Sequence, residues 1–178
     1  MKKSARRFFS IALALTLLVP AGVFAQAAAF QLSLANPIQL VEDTQAVAGV
    51  SLGLFYTVNT NLTGYNWSLV VNRLHGNLNG VQSGMVNLID GQVVGAQSGF
   101  FNSVRGSFNG LQGGFINYNR ALTRGAQFGF VNMSGEFRGF QMGFVNMVDD
   151  LYGLQIGLVN LNGSGEPFGF LPIANWSF

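Results

Sequence analysis

The chain has 178 residues, enough for one domain, and only 9% of them are charged, against about 25% in soluble proteins. It contains no Cys and one His, which excludes disulfides, thiolate metal sites and His-built zinc centres. Gly occurs 24 times and Phe 17 times, so the smallest residue and a large apolar one dominate together.

Residues 1–25 read as a secretory signal peptide. Lys2, Lys3, Arg6 and Arg7 form a positive n-region, Phe8 to Val19 an apolar h-region, and Val23-Phe24-Ala25 leads to a cut after Ala25, with Ala27 as a second candidate. Pro20 and Gly22 end the apolar run too soon for a membrane anchor. Arg6-Arg7-Phe8-Phe9 partly resembles a twin-arginine export signal, but the long apolar run suits the general secretion route. Cleavage removes four basic residues. Five arginines then remain (Arg73, Arg105, Arg120, Arg124, Arg138) against seven acids (Glu42, Asp43, Asp90, Glu136, Asp149, Asp150, Glu166), a net of −2. No basic stripe survives to track phosphates, which argues against nucleic-acid binding. Residues 26–178 are expected to form a single repeat-built β domain.

That domain repeats itself. Gly80-Val-Gln-Ser-Gly-Met-Val-Asn87 is followed by Gly95-Ala-Gln-Ser-Gly-Phe-Phe-Asn102, Gly110-Leu-Gln-Gly-Gly-Phe-Ile-Asn117, Gly125-Ala-Gln-Phe-Gly-Phe-Val-Asn132, Gly139-Phe-Gln-Met-Gly-Phe-Val-Asn146 and Gly153-Leu-Gln-Ile-Gly-Leu-Val-Asn160. The Asn positions advance by 15, 15, 15, 14 and 14 residues, the mark of duplication. Weaker copies flank them at Gly53 to Asn59, at Gly169 to Asn175, and at Gly64 to Asn72, which carries one extra residue, as a β-bulge would.

These units resemble those of a bacterial family of exported surface-repeat proteins from Gram-negative groups, which carry tandem Gly-x-Gln-x-Gly-apolar-apolar-Asn motifs behind a signal peptide. The resemblance covers roughly residues 53–178, and the ending Phe170 to Phe178 is similar too. It implies export and an envelope or surface location, nothing finer, and no activity.

Period two makes each unit a strand. In Leu151 to Leu161, the residues Leu151, Gly153, Gln155, Gly157, Val159 and Leu161 share one face, and Tyr152, Leu154, Ile156, Leu158 and Asn160 share a nearly apolar other. Gly twice per unit weakens a helix by about 1 kcal/mol each. Turn signals separate the units at Ile89-Asp90-Gly91-Gln92, Val104-Arg105-Gly106-Ser107, Ser134-Gly135-Glu136, Val148-Asp149-Asp150 and Asn162-Gly163-Ser164-Gly165; the Asp-Gly pair suits a tight type I′ hairpin.

The expected fold is therefore all-β, an antiparallel meander closed into a small outer-membrane-type barrel of about ten strands, Phe30–Leu34 included. Eleven residues span roughly 36 Å and, tilted, project to about 26 Å, close to the apolar band of such barrels. The apolar stripe would face lipid, Gly and Gln would face the lumen, and aromatic Phe178 would close the chain. The apolar face is interrupted by Ser83, Ser98 and Gly113. The alternative is a parallel β-solenoid of 14–15-residue coils carrying ladders of Asn, Gln and Phe. Against it stand the four or so residues left to turn each coil and a core too thin for a Phe in every layer.

No catalytic or metal site is predicted, and no cofactor. His75 lies in a turn. Asp149-Asp150 reads as a solvated turn rather than a cation cage. The arginines sit near turns. No Gly-x-Ser-x-Gly elbow is present. Asn132-Met-Ser134 matches a glycan acceptor by chance. The repeated Gln82, Gln97, Gln112, Gln127, Gln141 and Gln155 are the notable polar set, read as cross-strand amide pairs. Function is expected to be non-enzymatic: a structural, adhesive or small-pore protein of the outer membrane or cell surface, or a secreted or displayed solenoid that binds a partner. Membrane lipid is the expected contact, with a protein partner or self-association as further options, because the apolar side chains of six repeats need a non-aqueous cover.

Overall fold

A computed structural model describes residues 27–178; the signal-peptide reading falls on residues outside that range. The described residues are all-β, and they form a parallel β-solenoid instead of a barrel. Strand β1 spans Ala28–Ala35, β2 Ile38–Gln39, β3 Val47–Asn59, β4 Leu62–Leu74, β5 Leu78–Ile89, β6 Val93–Val104, β7 Phe108–Asn119, β8 Thr123–Asn162 and β9 Phe170–Ser177. They form one sheet in the order β2-β1-β3-β4-β5-β6-β7-β8-β9, chain order except that β2 lies outside β1. From β1 through β3 to β8 every neighbour runs parallel, with Gly80 beside Gly95, Gly95 beside Gly110 and Gly110 beside Gly125. Antiparallel pairing occurs only at the ends, β2 on β1 and β9 on the last coil of β8.

A coil closes in so few residues because its strand folds midway. Along β5, Leu78, Gln82, Asn87 and Ile89 are buried, whereas Met85 and Val86 both point outward. Two consecutive outward residues break the alternation and turn the strand. Its two arms then face each other, and Gln112 and Asn119 of one coil exchange hydrogen bonds of 3.1 and 3.0 Å across the interior. The expectation that Asn160 shares a face with Leu158 is corrected: Asn160 is fully buried, as Gln155 is, and half-buried Val159 takes the outward position.

The segments between coils expected to be hairpins are corners stacked on one another, whereas Asn162 to Gly165 does open an antiparallel return, from β8 to β9. Arg105 N–H donates to the Ile89 carbonyl at 2.9 Å and Gly106 N–H to the Gly91 carbonyl at 3.1 Å. At the stacked corners no glycine has positive φ; it falls within the coils, from 125° to 150° along the column that includes Gly80, Gly95 and Gly110, and at Gly165 in the final return, with φ 77°. A Cβ on Gly110 would collide with the Gly95 carbonyl oxygen, so this column is the line of closest approach between coils. Where the repeat shortens to 14 residues, the corner drops from three residues to two, at Gly135-Glu136 and Asp149-Asp150, and β8 runs through three coils unbroken. The extra residue before Asn72 is a bulge, as expected: β4 shifts register against β5 between Ser68 and Val71.

The core is thin and mixed. One apolar cluster joins Val47, Leu62, Leu74, Leu78, Ile89, Val93, Val104 and Phe108, and another joins Phe137, Val148 and Leu151. Of the tandem-repeat phenylalanines, those between the second Gly and Asn point outward, which removes the volume objection to so narrow a coil.

Candidate functional site

Two amide ladders run through the coils, one of Gln from Gln82 to Gln155 and one of Asn from Asn72 to Asn160. Each Gln donates to the coil before it: Gln97 Nε2 reaches Gln82 Oε1 at 3.0 Å, and the steps from Gln112, Gln127, Gln141 and Gln155 measure 2.8, 2.8, 2.6 and 2.8 Å. Each Asn donates to the coil after it: Asn72 to Asn87 at 2.9 Å, then Asn87, Asn102 and Asn117 at 2.8 Å each, Asn132 at 2.9 Å and Asn146 to Asn160 at 2.8 Å. The two rows of amide dipoles therefore oppose each other and leave little net field. A second bond fixes the Asn orientation, from Nδ2 to a backbone carbonyl of the following coil, as from Asn117 to Phe128 at 3.0 Å. Glycine makes room for this: a Cβ on Gly99 would strike the Gly84 carbonyl oxygen and the Asn87 amide.

All six repeat glutamines are buried. They pair as expected, and they are sealed from ligands. The ladder stops at Gln82, whose Nε2 has no partner, because the preceding coil offers the shorter Asn66. Asn66 and Ser68 are likewise buried without partners. Where the two apolar clusters part, the core is polar but satisfied: Asn119 Nδ2 donates to Thr123 Oγ1 at 2.9 Å, and Ser134 Oγ donates to Gln127 Oε1 at 3.2 Å.

Charge on the outside of the coils is confined to one end, although exposed apolar side chains such as Val94 and Tyr152 reach that end too. Every charged residue of β3 through β8 lies at or next to the stacked turns. Asp90 gathers Arg73 and Arg105 at 2.8 Å each, with His75 Nδ1 at 3.2 Å from the same carboxylate. Asp149 and Asp150 are exposed at a two-residue corner, as the solvated-turn reading expected. Among the described residues no three of His, Cys, Asp and Glu meet as a metal site. Asn132, the glycan-acceptor match, is fully buried in its ladder.

At the opposite corner the side chains are apolar. Met85, Phe100, Phe115, Phe130, Phe144 and Leu158 stand one per coil, each between 45% and 56% exposed. The four phenylalanines stack face to face, with centroids 5.0, 5.0 and 4.8 Å apart and planes within 7°. The flanking columns contain no charge: Trp67, Ser83, Ser98, Gly113, Phe128 and Met142 on one side, apolar except at its three middle positions, and Val86, Phe101, Ile116 and Val131 on the other. The sequence reading found the apolar stripe but assigned it to a barrel wall. The signal for a ridge was the adjacent apolar pair inside each motif.

No family model, curated protein or solved structure matches this chain.

Proposed function

We propose that the protein is an exported, non-enzymatic repeat protein of a bacterial envelope or surface, serving as a rigid structural or adhesive scaffold that engages its neighbour through the outside of its coils. The observation that carries this reading is the uncharged ridge of stacked phenylalanines set opposite the charged turns. Leaving half-exposed Phe, Met and Leu in water at successive coils forgoes the roughly 1.5–3 kcal/mol that burial of each side chain supplies, so the ridge is suited to a covering surface. The signal-peptide pattern expected of residues 1–25 and the resemblance to exported surface-repeat proteins support the location. Buried amides sealed within the coil leave the interior no role beyond holding the rod. The small-pore role is set aside, because a pore needs an open lumen and amide ladders fill this one.

The test is cell fractionation of a strain expressing the full chain with its own leader, combined with protease added to intact cells. Envelope association with degradation from outside is the expected result. Retention in the cytosol, with the leader uncleaved, refutes the reading.

A further inference from the structure

The ridge has a geometry that selects its cover. Met85 and Val86, and the equivalent pairs in later coils, are consecutive outward residues where the strand folds, so the phenylalanines crown a convex corner. Six crown side chains, Met85 to Leu158, at about 4.8 Å per step make this crown roughly 24 Å long. Two copies meeting crown to crown along a line some 7 Å wide would bury only about 170 Å² each, far below the roughly 800 Å² per partner of a stable protein interface. A fluid apolar layer has no such limit, because it closes over the crown and both flanking columns together. Charge points the same way. The arginines and acids of the coils sit at the far corner, where they remain in water when the crown is immersed. The distribution around the coil is that of a helix lying in a membrane interface, apolar on one side and charged on the other, but without the flanking basic residues that would seek anionic headgroups.

We propose that the phenylalanine ridge is a lipid-insertion surface: the solenoid lies along a membrane as a monotopic rod, with Phe100, Phe115, Phe130 and Phe144 in the acyl boundary. This rests on the scaffold reading above and names the neighbour. Binding is driven by apolar burial alone, so it is indifferent to lipid charge and to salt.

The experiment is flotation of the full-length protein with vesicles of zwitterionic phosphatidylcholine, with and without an added anionic lipid, at low salt and at about 0.5 M salt. The protein floats with both vesicle types, and partition changes less than about 2-fold across salt. Phe115→Ser combined with Phe130→Ser lowers partition about 10-fold per ring removed, with an unchanged circular dichroism spectrum because both positions face outward. Arg105→Gln combined with Arg120→Gln changes nothing. A measurement independent of these variants uses Trp67, beside the crown. In Trp176→Phe it is the sole tryptophan, and brominated acyl chains quench it. Binding only to anionic vesicles, loss of binding in high salt, or unquenched Trp67 overturns the lipid assignment. So does a stable dimer in solution that the double Phe variant dissolves, an outcome that leaves the scaffold reading intact and makes the neighbour a second copy. Cytosolic retention in the fractionation test sinks the scaffold reading whatever the vesicles show.

Discussion

Asn117→Ala tests whether the amide ladder holds the rod together. The substitution removes three hydrogen bonds: Asn117 Oδ1 accepts from Asn102 at 2.8 Å, and its Nδ2 donates to Asn132 Oδ1 at 2.8 Å and to the Phe128 carbonyl at 3.0 Å. Asn102 keeps the Gly113 carbonyl as an acceptor at 2.9 Å, but the Phe128 carbonyl and one face of the Asn132 amide lose their partner inside a dry coil. At about 1 kcal/mol net per bond, three bonds amount to about 3 kcal/mol. The orphaned acceptor and the space left by the amide add about 1–2 kcal/mol. The total of about 4–5 kcal/mol is a large share of the roughly 5–15 kcal/mol that stabilises a domain. Urea unfolding followed by circular dichroism reads it as a lower midpoint with an unchanged slope. A loss below about 1 kcal/mol would mean that these bonds are no stronger than exposed ones, and the account of the core would be wrong.

Two further substitutions probe the same packing from other sides. Gly110→Ala, at a φ of 143° with its Cβ driven into the Gly95 carbonyl, costs more than about 3 kcal/mol or prevents folding. Gly113→Ala, three residues on and with open space around its Cβ, stays within about 0.5 kcal/mol or stabilises by up to about 1 kcal/mol; equal effects of the two in a thermal melt would refute the close-approach argument. Asn66→Gln extends the ladder so that Gln82 Nε2 gains an acceptor, and raises stability by about 1 kcal/mol; a lower melting temperature would show that the bulged coil has no room for the extra methylene.

How much of this was legible in the residues follows from what a period-two reading sees. Strand structure, the breaks between units, the Gln pairing and the bulge before Asn72 all follow from local spacing, and all are present. The direction of the neighbouring strand does not. Asp90-Gly91-Gln92 has the chemistry of a turn whether the chain doubles back or climbs to the next coil, and only the register of Gly80 beside Gly95 decides it. Strict alternation also sends Asn87 to the face opposite Gln82, because five residues separate them. The structure places both inside, since Met85 and Val86 take two outward positions in a row. That one-residue slip converts a flat strand into a folded coil and a barrel wall into a ridge. An odd spacing between two invariant amides of the repeat is the mark by which such a fold would be read directly.

The stacking of 15-residue and 14-residue coils in one rod has a consequence for how such a protein changes over generations. Each coil touches only the coils above and below it, so gain or loss of one whole coil leaves every remaining partner in place, while a shift of a few residues within a coil misaligns both ladders at once. The corner tolerates dropping a residue, as Gly135-Glu136 and Asp149-Asp150 do; within a strand the extra residue before Asn72 is absorbed by a bulge, at the cost of the unpartnered Asn66 and Ser68 nearby. Variation in this molecule is therefore expected to be quantised in length: duplication and excision of single rungs are cheap, and the sequence within each rung is frozen at its glycines and amides.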